Sequence, residues 1–197
     1  MEWVVTNAKQ YHLDLRNLFF VGDSAGAHLA TAYTAIQLNS DYAKEFPKIT
    51  VSPKFVPKAL VLNCGVFDME GEVEHRGVLL TPFLTDILGE KPTGSSIKKM
   101  SPVGYITPDF PPVYLATSNG DFLRKHSHRL KEVLEQKQID FVFRCKNPAA
   151  VLRKRDVTYA VGNWEEAGRK ISLRLRPPLL FPFLRPPGSR RPRRRCR

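Results

Sequence analysis

The chain has 197 residues, an apolar share of 42% and a formal net charge of +12. Residues 150–197 hold 14 of the 31 Lys and Arg but only 3 of the 19 Asp and Glu, so the preceding residues are almost neutral. The length suits one domain with a buried core, and the near-neutral charge of residues 1–149 argues against a nucleic-acid-binding surface on that domain.

The N-terminal part of the chain predicts a helix, a strand and a second helix. Apolar residues at helical spacing predict a helix over 2–11, and the wholly apolar run 18–21 predicts a strand buried on both faces of a parallel sheet. The second helix follows Gly26. It is predicted to carry Leu29, Tyr33 and Ile36 on one face.

The middle of the chain predicts a loop, a strand and an irregular region. Prolines indicate a loop over 46–57, and the apolar residues 59–63 predict a second buried strand. Gly, Pro and Ser interrupt residues 66–110, which predicts short helices over the site.

Two further strands are predicted at 113–117 and 141–143, on either side of a helix over 123–137. The inner face of that helix carries Leu123, Leu130, Val133 and Leu134. Strands alternating with helices predict an α/β fold with a mostly parallel sheet and helices on both faces. Residues 1–148 are therefore predicted to form the domain, and the Arg/Pro-rich residues 149–197 a disordered tail.

The cysteines are widely spaced and form no CxxC pair. A disulfide framework is therefore not expected, and a reducing, cytoplasmic compartment is the default prediction. No His, Asp, Glu or Cys cluster has ligand spacing, so we expect no metal and no other cofactor. The N-terminal segment does not read as a signal peptide, and no apolar run approaches the length of a membrane span.

The pattern that carries chemistry is G-x-S-x-G, present as Gly22-Asp23-Ser24-Ala25-Gly26. A serine hydroxyl is a weak nucleophile unless a base takes its proton and its geometry is fixed. A tight turn between a strand and a helix fixes that geometry, and we expect side chains at both flanking glycines to clash. The N-terminus of the following helix then favours the negative charge that develops on a substrate oxygen.

The stretch from Gly22 to Ala30 resembles the G-D-S-A-G-G-x-L-A signature of the hormone-sensitive-lipase-like esterases, the α/β-hydrolase fold-3 family. Residues 110–123 are similar to a second segment of that family. The resemblance implies Ser24 as nucleophile, the N–H of Ala25 as an oxyanion donor, and Asp121 as the acid of the triad. Asp121 also has a structural interpretation, because it precedes a helix and could cap its N-terminus.

Two parts of the family pattern are missing from the sequence. The H-G-G oxyanion motif should precede the elbow, and neither it nor the first strands of the sheet are found in the two dozen residues before Ser24. The catalytic histidine should follow the last strand in an H-x-F segment, but no histidine occurs after His128. We therefore expect no catalytic histidine in this chain and an impaired activity.

The five histidines present have other predicted roles. His28 lies one turn past Ser24 and is expected to support the helix by packing or hydrogen bonding. His126 is expected to be partly buried and structural, and His128 to face solvent. His12 and His75 are expected at a helix end and in a loop.

Three classes of function remain open from the sequence. The first is an esterase that acts on small acyl esters through a serine acyl-enzyme, with a serine peptidase as a less favoured version. The second is a non-catalytic α/β-hydrolase remnant or binding module. The third is an anion binder that works through the arginine tail, for which we expect salt-sensitive sticking rather than specific nucleic-acid recognition.

Overall fold

The computed structural model describes residues 1–46 and 55–146, with the side chains of 78 and 79 excepted. Four parallel strands form a sheet in the order β1-β2-β3-β4. Their bounds are Phe20–Asp23 for β1, Leu60–Asn63 for β2, Val113–Ser118 for β3 and Phe141–Lys146 for β4. Because all four strands are parallel, their carboxyl ends meet at one edge of the sheet, where each connection leaves.

Seven α-helices connect and cover the strands in the described part of the chain. They are α1 (Glu2–Asn7), α2 (Ala25–Leu38), α3 (Ser40–Lys44), α4 (Met69–Arg76), α5 (Thr81–Leu88), α6 (Gly94–Lys99) and α7 (Arg124–Gln136). The predicted α/β fold with a mostly parallel sheet is confirmed. The short helices predicted within 66–110 are also present, as α4 to α6 and two 3₁₀ turns.

The main core lies between one face of the sheet and two helices. Leu60 and Leu62 of β2 point to this face and are fully buried. Helix α2 contributes Ala27, Ala35 and Ile36, and α7 contributes Leu130, Val133 and Leu134. Burial of each large apolar side chain stabilises the fold by roughly 1.5–3 kcal/mol. This shared core therefore holds α2 and α7 against the sheet.

The first strand differs from its prediction. It begins and ends two residues later than predicted, and Val21 at its centre is 60% exposed rather than buried. The reason is its position, because β1 pairs with β2 on one side only among the described residues. A strand at the edge of a sheet keeps one row of backbone groups and part of its side chains in solvent.

Two helix predictions also need correction. Helix α1 ends at Asn7, not at residue 11, and the chain continues in turns to residue 12. On α2 the face predicted to carry Leu29, Tyr33 and Ile36 is divided. Leu29 is 66% exposed and Ile36 is buried, because the face toward the core carries small residues. These are Ala27, Thr31, Thr34 and Ala35.

The predicted tail at 149–197 and most of the predicted loop at 46–57 lie outside the described residues. Within the described ranges, no helix combines the length and the apolar composition needed to cross a membrane.

Candidate active site

Ser24 lies at the turn between β1 and α2. Its backbone has φ 51° and ψ −117°, a conformation that side-chain-bearing residues rarely adopt. Its N–H donates to the carbonyl of Asn63 at 2.9 Å, which ties the turn to the end of β2. The side chain is exposed and makes no capping hydrogen bond to the helix. The hydroxyl is therefore presented at the carboxyl edge of the sheet.

The two glycines that flank the serine play different roles. A Cβ on Gly22 would come within 2.5 Å of the backbone C and O of Gly26, so only glycine fits there. A Cβ on Gly26 would meet nothing within 4 Å among the described residues. The predicted steric need for glycine therefore holds at Gly22 and is wrong at Gly26, because Gly26 already belongs to the open first turn of α2.

The N-terminus of α2 faces the same edge. Ala25 is the first residue of α2, and the first N–H groups of a helix have no acceptor within the helix. The N–H of Ala25 lies directly after the serine, as the predicted oxyanion role requires. Asp23 is exposed, and its Oδ1 accepts a hydrogen bond from the Asn63 side-chain amide.

Asp121 lies beyond the end of β3, at the same edge of the sheet as the serine. Its Oδ2 accepts from the Thr117 hydroxyl at 2.8 Å, and its Oδ1 accepts from the N–H of Leu123 at 2.9 Å. The second contact stabilises the turn before α7, which begins at Arg124. The capping interpretation is thus correct in part, since the carboxylate holds the turn that leads into α7 without being the N-cap residue.

Cys64 lies at the same edge of the sheet, and no sequence motif pointed to it. It follows β2 directly, has φ 46°, and donates its N–H to the Ala116 carbonyl at 2.9 Å. Two effects raise the pKa of the Cys64 thiol to about 12. Burial is the larger effect, and the nearby Asp121 carboxylate is the second. The thiol therefore stays protonated at neutral pH. Its place one residue after a predicted strand was the signal that could have found it.

His28 is a structural residue, as predicted. Its Nδ1 lies 2.8 Å from the carbonyl of Val66 and joins α2 to the segment after β2. Burial lowers the pKa of His28, so the ring is neutral at pH 7.

His126 is also structural, and it is more deeply buried than predicted. Its Nδ1 accepts from the N–H of Asp68 at 3.1 Å, and its Nε2 lies 3.4 Å from a Glu72 oxygen. Burial lowers the pKa of His126, and the nearby Glu72 carboxylate opposes that shift. Glu72 is in turn paired with Arg76, so this cluster joins α4 to α7.

The other three histidines lie elsewhere. His128 is exposed and its ring meets Phe143 edge-on at 5.3 Å, in line with the prediction. His75, predicted in a loop, lies in the last turn of α4, with its Nε2 2.8 Å from Lys125 Nζ. His12 lies in the turns after α1 with φ 53°.

A polar cleft of about 410 Å³ opens between α4 and the start of α7. It is lined by Asp68, Gly71, Glu72, Glu74, His75, Lys125 and His126. None of the sequence-predicted site residues lines it. Across the two described ranges, no group of three His, Cys, Asp or Glu side chains is arranged to hold a metal ion.

Three features define the class of the protein as an α/β-hydrolase. They are the parallel sheet, the strained serine at a strand-to-helix turn, and the aspartate two strands away at the same edge. The BD-FAE family model, an α/β-hydrolase esterase domain, matches residues 1–134, and the chain belongs to this family. The esterase resemblance drawn from the sequence is confirmed at this level. No curated protein sequence matches the chain.

Solved structures of several esterases and related hydrolases share this fold. Esterase B from Lactobacillus rhamnosis has a TM-score of 0.69 at 18% identity, over 86% of this chain and 56% of that one. A lipase/esterase from Lactobacillus plantarum has a TM-score of 0.58 at 16% identity, over 73% and 53%. An acetyl ester-xyloside bifunctional hydrolase from Caldicellulosiruptor lactoaceticus has a TM-score of 0.58 at 19% identity, over 85% and 60%. The chain thus spans little more than half the length of these structures.

Proposed function

We propose that the site hydrolyses carboxylic esters through an acyl-enzyme on Ser24. The observation that carries this proposal is the strained backbone of an exposed serine, held by the end of β2 at the N-terminus of α2. Strain of this kind costs about 1–3 kcal/mol and persists where the surrounding structure requires it. Membership of an esterase family supports the same chemistry.

The roles follow from the chemistry of acyl transfer. The Ser24 hydroxyl attacks the ester carbonyl, and the N–H of Ala25 stabilises the oxyanion that forms. Asp121 is the acid of the triad, which orients and stabilises a histidine base as that base takes the proton of the hydroxyl. The ester C–O bond then breaks, and the alcohol leaves with the proton that the base has taken. Water attacks the acyl-enzyme in turn, which releases the carboxylic acid and restores the Ser24 hydroxyl.

The base is the component that the described histidines do not supply. His28 and His126 are engaged with Val66 and Asp68. His75 contacts Lys125, and His128 packs against Phe143. His12 lies in the turns after α1. We therefore propose that the 197-residue chain on its own turns over slowly. Loss of one member of a triad leaves a residual acceleration of roughly 10³–10⁴-fold over water, from the oxyanion donors and binding.

A non-catalytic hydrolase fold is the second candidate, and the placement of the histidines is the observation that favours it. For the substrate, we propose small acyl esters. The solved structure of esterase B with a tributyrin phosphonate inhibitor supports the same class.

A fluorophosphonate probe separates the two candidates, because only an activated serine reacts with it. We expect slow labelling of the wild-type chain that is absent in Ser24→Ala. Hydrolysis of p-nitrophenyl acetate should show the same dependence on Ser24, at a low rate. Equal labelling of both proteins, or of neither, contradicts the enzymatic proposal, and a fast burst of p-nitrophenol contradicts the slow turnover.

A further inference from the structure

Five polar side chains follow one another along the carboxyl edge of the sheet, from the serine turn to the aspartate. We call them the edge network: Asp23, Asn63, Cys64, Thr117 and Asp121. The Asn63 amide donates to Asp23, and the Cys64 thiol lies 3.5 Å from the Asn63 side-chain oxygen. The Thr117 hydroxyl donates to Asp121 Oδ2, and the Asp121 carboxylate is close enough to raise the pKa of the same thiol. The edge network therefore spans the ends of β1, β2 and β3.

We propose that Thr117 and Asn63 are positioning residues of the site, Thr117 for the acid and Asn63 for the serine turn. Cys64 fills the space between them as a neutral thiol. Neither positioning residue needs to touch the substrate. The claim that these two residues matter for ester hydrolysis rests on the proposed function. The claim that Thr117 fixes Asp121 does not.

Thr117 is placed to fix the carboxylate of Asp121. It is 3% exposed, and a buried hydroxyl needs a hydrogen-bond partner. Here the partner is Asp121 Oδ2, while Oδ1 is held by the N–H of Leu123. With one oxygen held by a side chain of β3 and the other by the backbone before α7, the orientation of the carboxylate is fixed. Without the hydroxyl, one oxygen is released and the side chain can rotate.

Asn63 holds the serine turn through two separate contacts. Its carbonyl accepts from the N–H of Ser24, and its side-chain amide donates to Asp23. Any residue at position 63 keeps the first contact, because it is made by the backbone. Substitution of the Asn63 side chain therefore removes only the second contact, the one to Asp23. Asn63→Asp keeps the shape but replaces the donor with an acceptor that faces Asp23.

The test measures the rate of Ser24 labelling by a fluorophosphonate in the full chain. We expect Asn63→Asp, which sets an acceptor against Asp23 beside the serine, to slow labelling about tenfold. Thr117→Ser, which keeps the hydroxyl and leaves the serine turn untouched, is the control and should stay within about twofold. Wild-type labelling of Asn63→Asp overturns the role of Asn63. Because Asp121 acts on Ser24 only through a histidine base, the role of Thr117 is tested at the acid itself: Thr117→Val removes the hydroxyl at nearly constant shape, and Thr117→Ala replaces it if the valine variant does not fold.

Amide hydrogen exchange at Leu123 provides a readout that does not depend on Ser24 reactivity. If Thr117 fixes the aspartate, its hydroxyl-free variants exchange the Leu123 N–H faster, and Thr117→Ser does not. If the wild-type serine is not labelled at all, the proposed function fails, and exchange at Leu123 alone decides whether Thr117 fixes Asp121. Unchanged exchange in Thr117→Val then overturns the inference.

Discussion

Ser24 and Cys64 occupy equivalent places at the ends of β1 and β2. Both have positive φ, 51° and 46°, and each donates its N–H to a carbonyl of the next strand. Neither residue is a glycine, so each turn is strained and must be held by its neighbours. At Ser24 the strain presents a hydroxyl to solvent, and at Cys64 it directs a thiol toward the acid.

Gly22 and Gly26 allow a matched test of this turn. Gly22→Ala places a methyl group within 2.5 Å of backbone atoms, so we expect a loss of about 1–3 kcal/mol in the free energy of unfolding. Gly26→Ala meets open space in the first turn of α2, so we expect no loss and a gain of up to about 1 kcal/mol. Urea unfolding measures both. A loss of equal size in the two variants would contradict the structure of the turn.

At the scale of elements, α2 and α7 connect the sheet to the site. Helix α2 begins at the serine and is joined to the segment after β2 by the contact of His28 with Val66. Helix α7 begins three residues after Asp121 and is joined to α4 through His126. The two helices therefore transmit the rigidity of the core to the two proposed catalytic side chains.

The His28 contact predicts a dependence of stability on pH. Burial lowers the pKa of His28 in the folded chain below the ordinary value near 6.5, so the unfolded chain binds a proton first as the pH falls. The free energy of unfolding should therefore decrease below about pH 6.5, by at most about 1.4 kcal/mol per pH unit for this one group. His28→Gln, which removes the titrating ring and keeps a hydrogen-bonding side chain, should reduce this slope. Equal slopes in wild type and His28→Gln would disprove the contribution.

Most helices and strands could be predicted because the residues that determine them are neighbours in the sequence. The strands at β2 and β3 are short apolar runs bounded by turn residues, and α7 has an amphipathic repeat whose inner residues are buried as expected. The turn at Ser24 was predictable because its pattern is specific. The exposure of Val21 and Leu29 was not, because it depends on what packs beside β1 and α2. Cys64 and Thr117 were missed because their roles depend on the pairing of β2 with β3. Cys64 lies 57 residues before Asp121, and only this pairing brings it beside Thr117 and Asp121.

At the scale of the whole molecule, the described part leaves apolar surface around β1. Trp3, Val21 and Leu29 are each at least 60% exposed, and β1 has a strand on only one side among the described residues. Unpaired strand edges beside apolar surface promote association between chains. Residues 150–197, with nearly all of the net positive charge, oppose close approach of two copies at low salt.

We therefore expect the chain to self-associate in gel filtration, and more strongly at high salt than at low salt. Val21→Lys places a charge in the middle of the edge strand and should shift the elution toward the monomer. His128→Lys is the control, because it adds a charge on an exposed surface of α7 remote from that edge. A sharp monomer peak for the wild-type chain at all salt concentrations would exclude this association.

The protected state of Cys64 has a practical consequence for spectroscopy. With a pKa of about 12, Cys64 reacts slowly with maleimides at neutral pH, whereas Cys145 is exposed on β4. Cys145 Sγ lies 3.1 Å from the side-chain oxygen of Asn119, in the loop that carries Asp121. Cys196 is the third cysteine of the chain and would be replaced by serine. A fluorophore attached to Cys145 would then lie beside the loop that carries Asp121 and report its movements, while Cys64 stays unmodified.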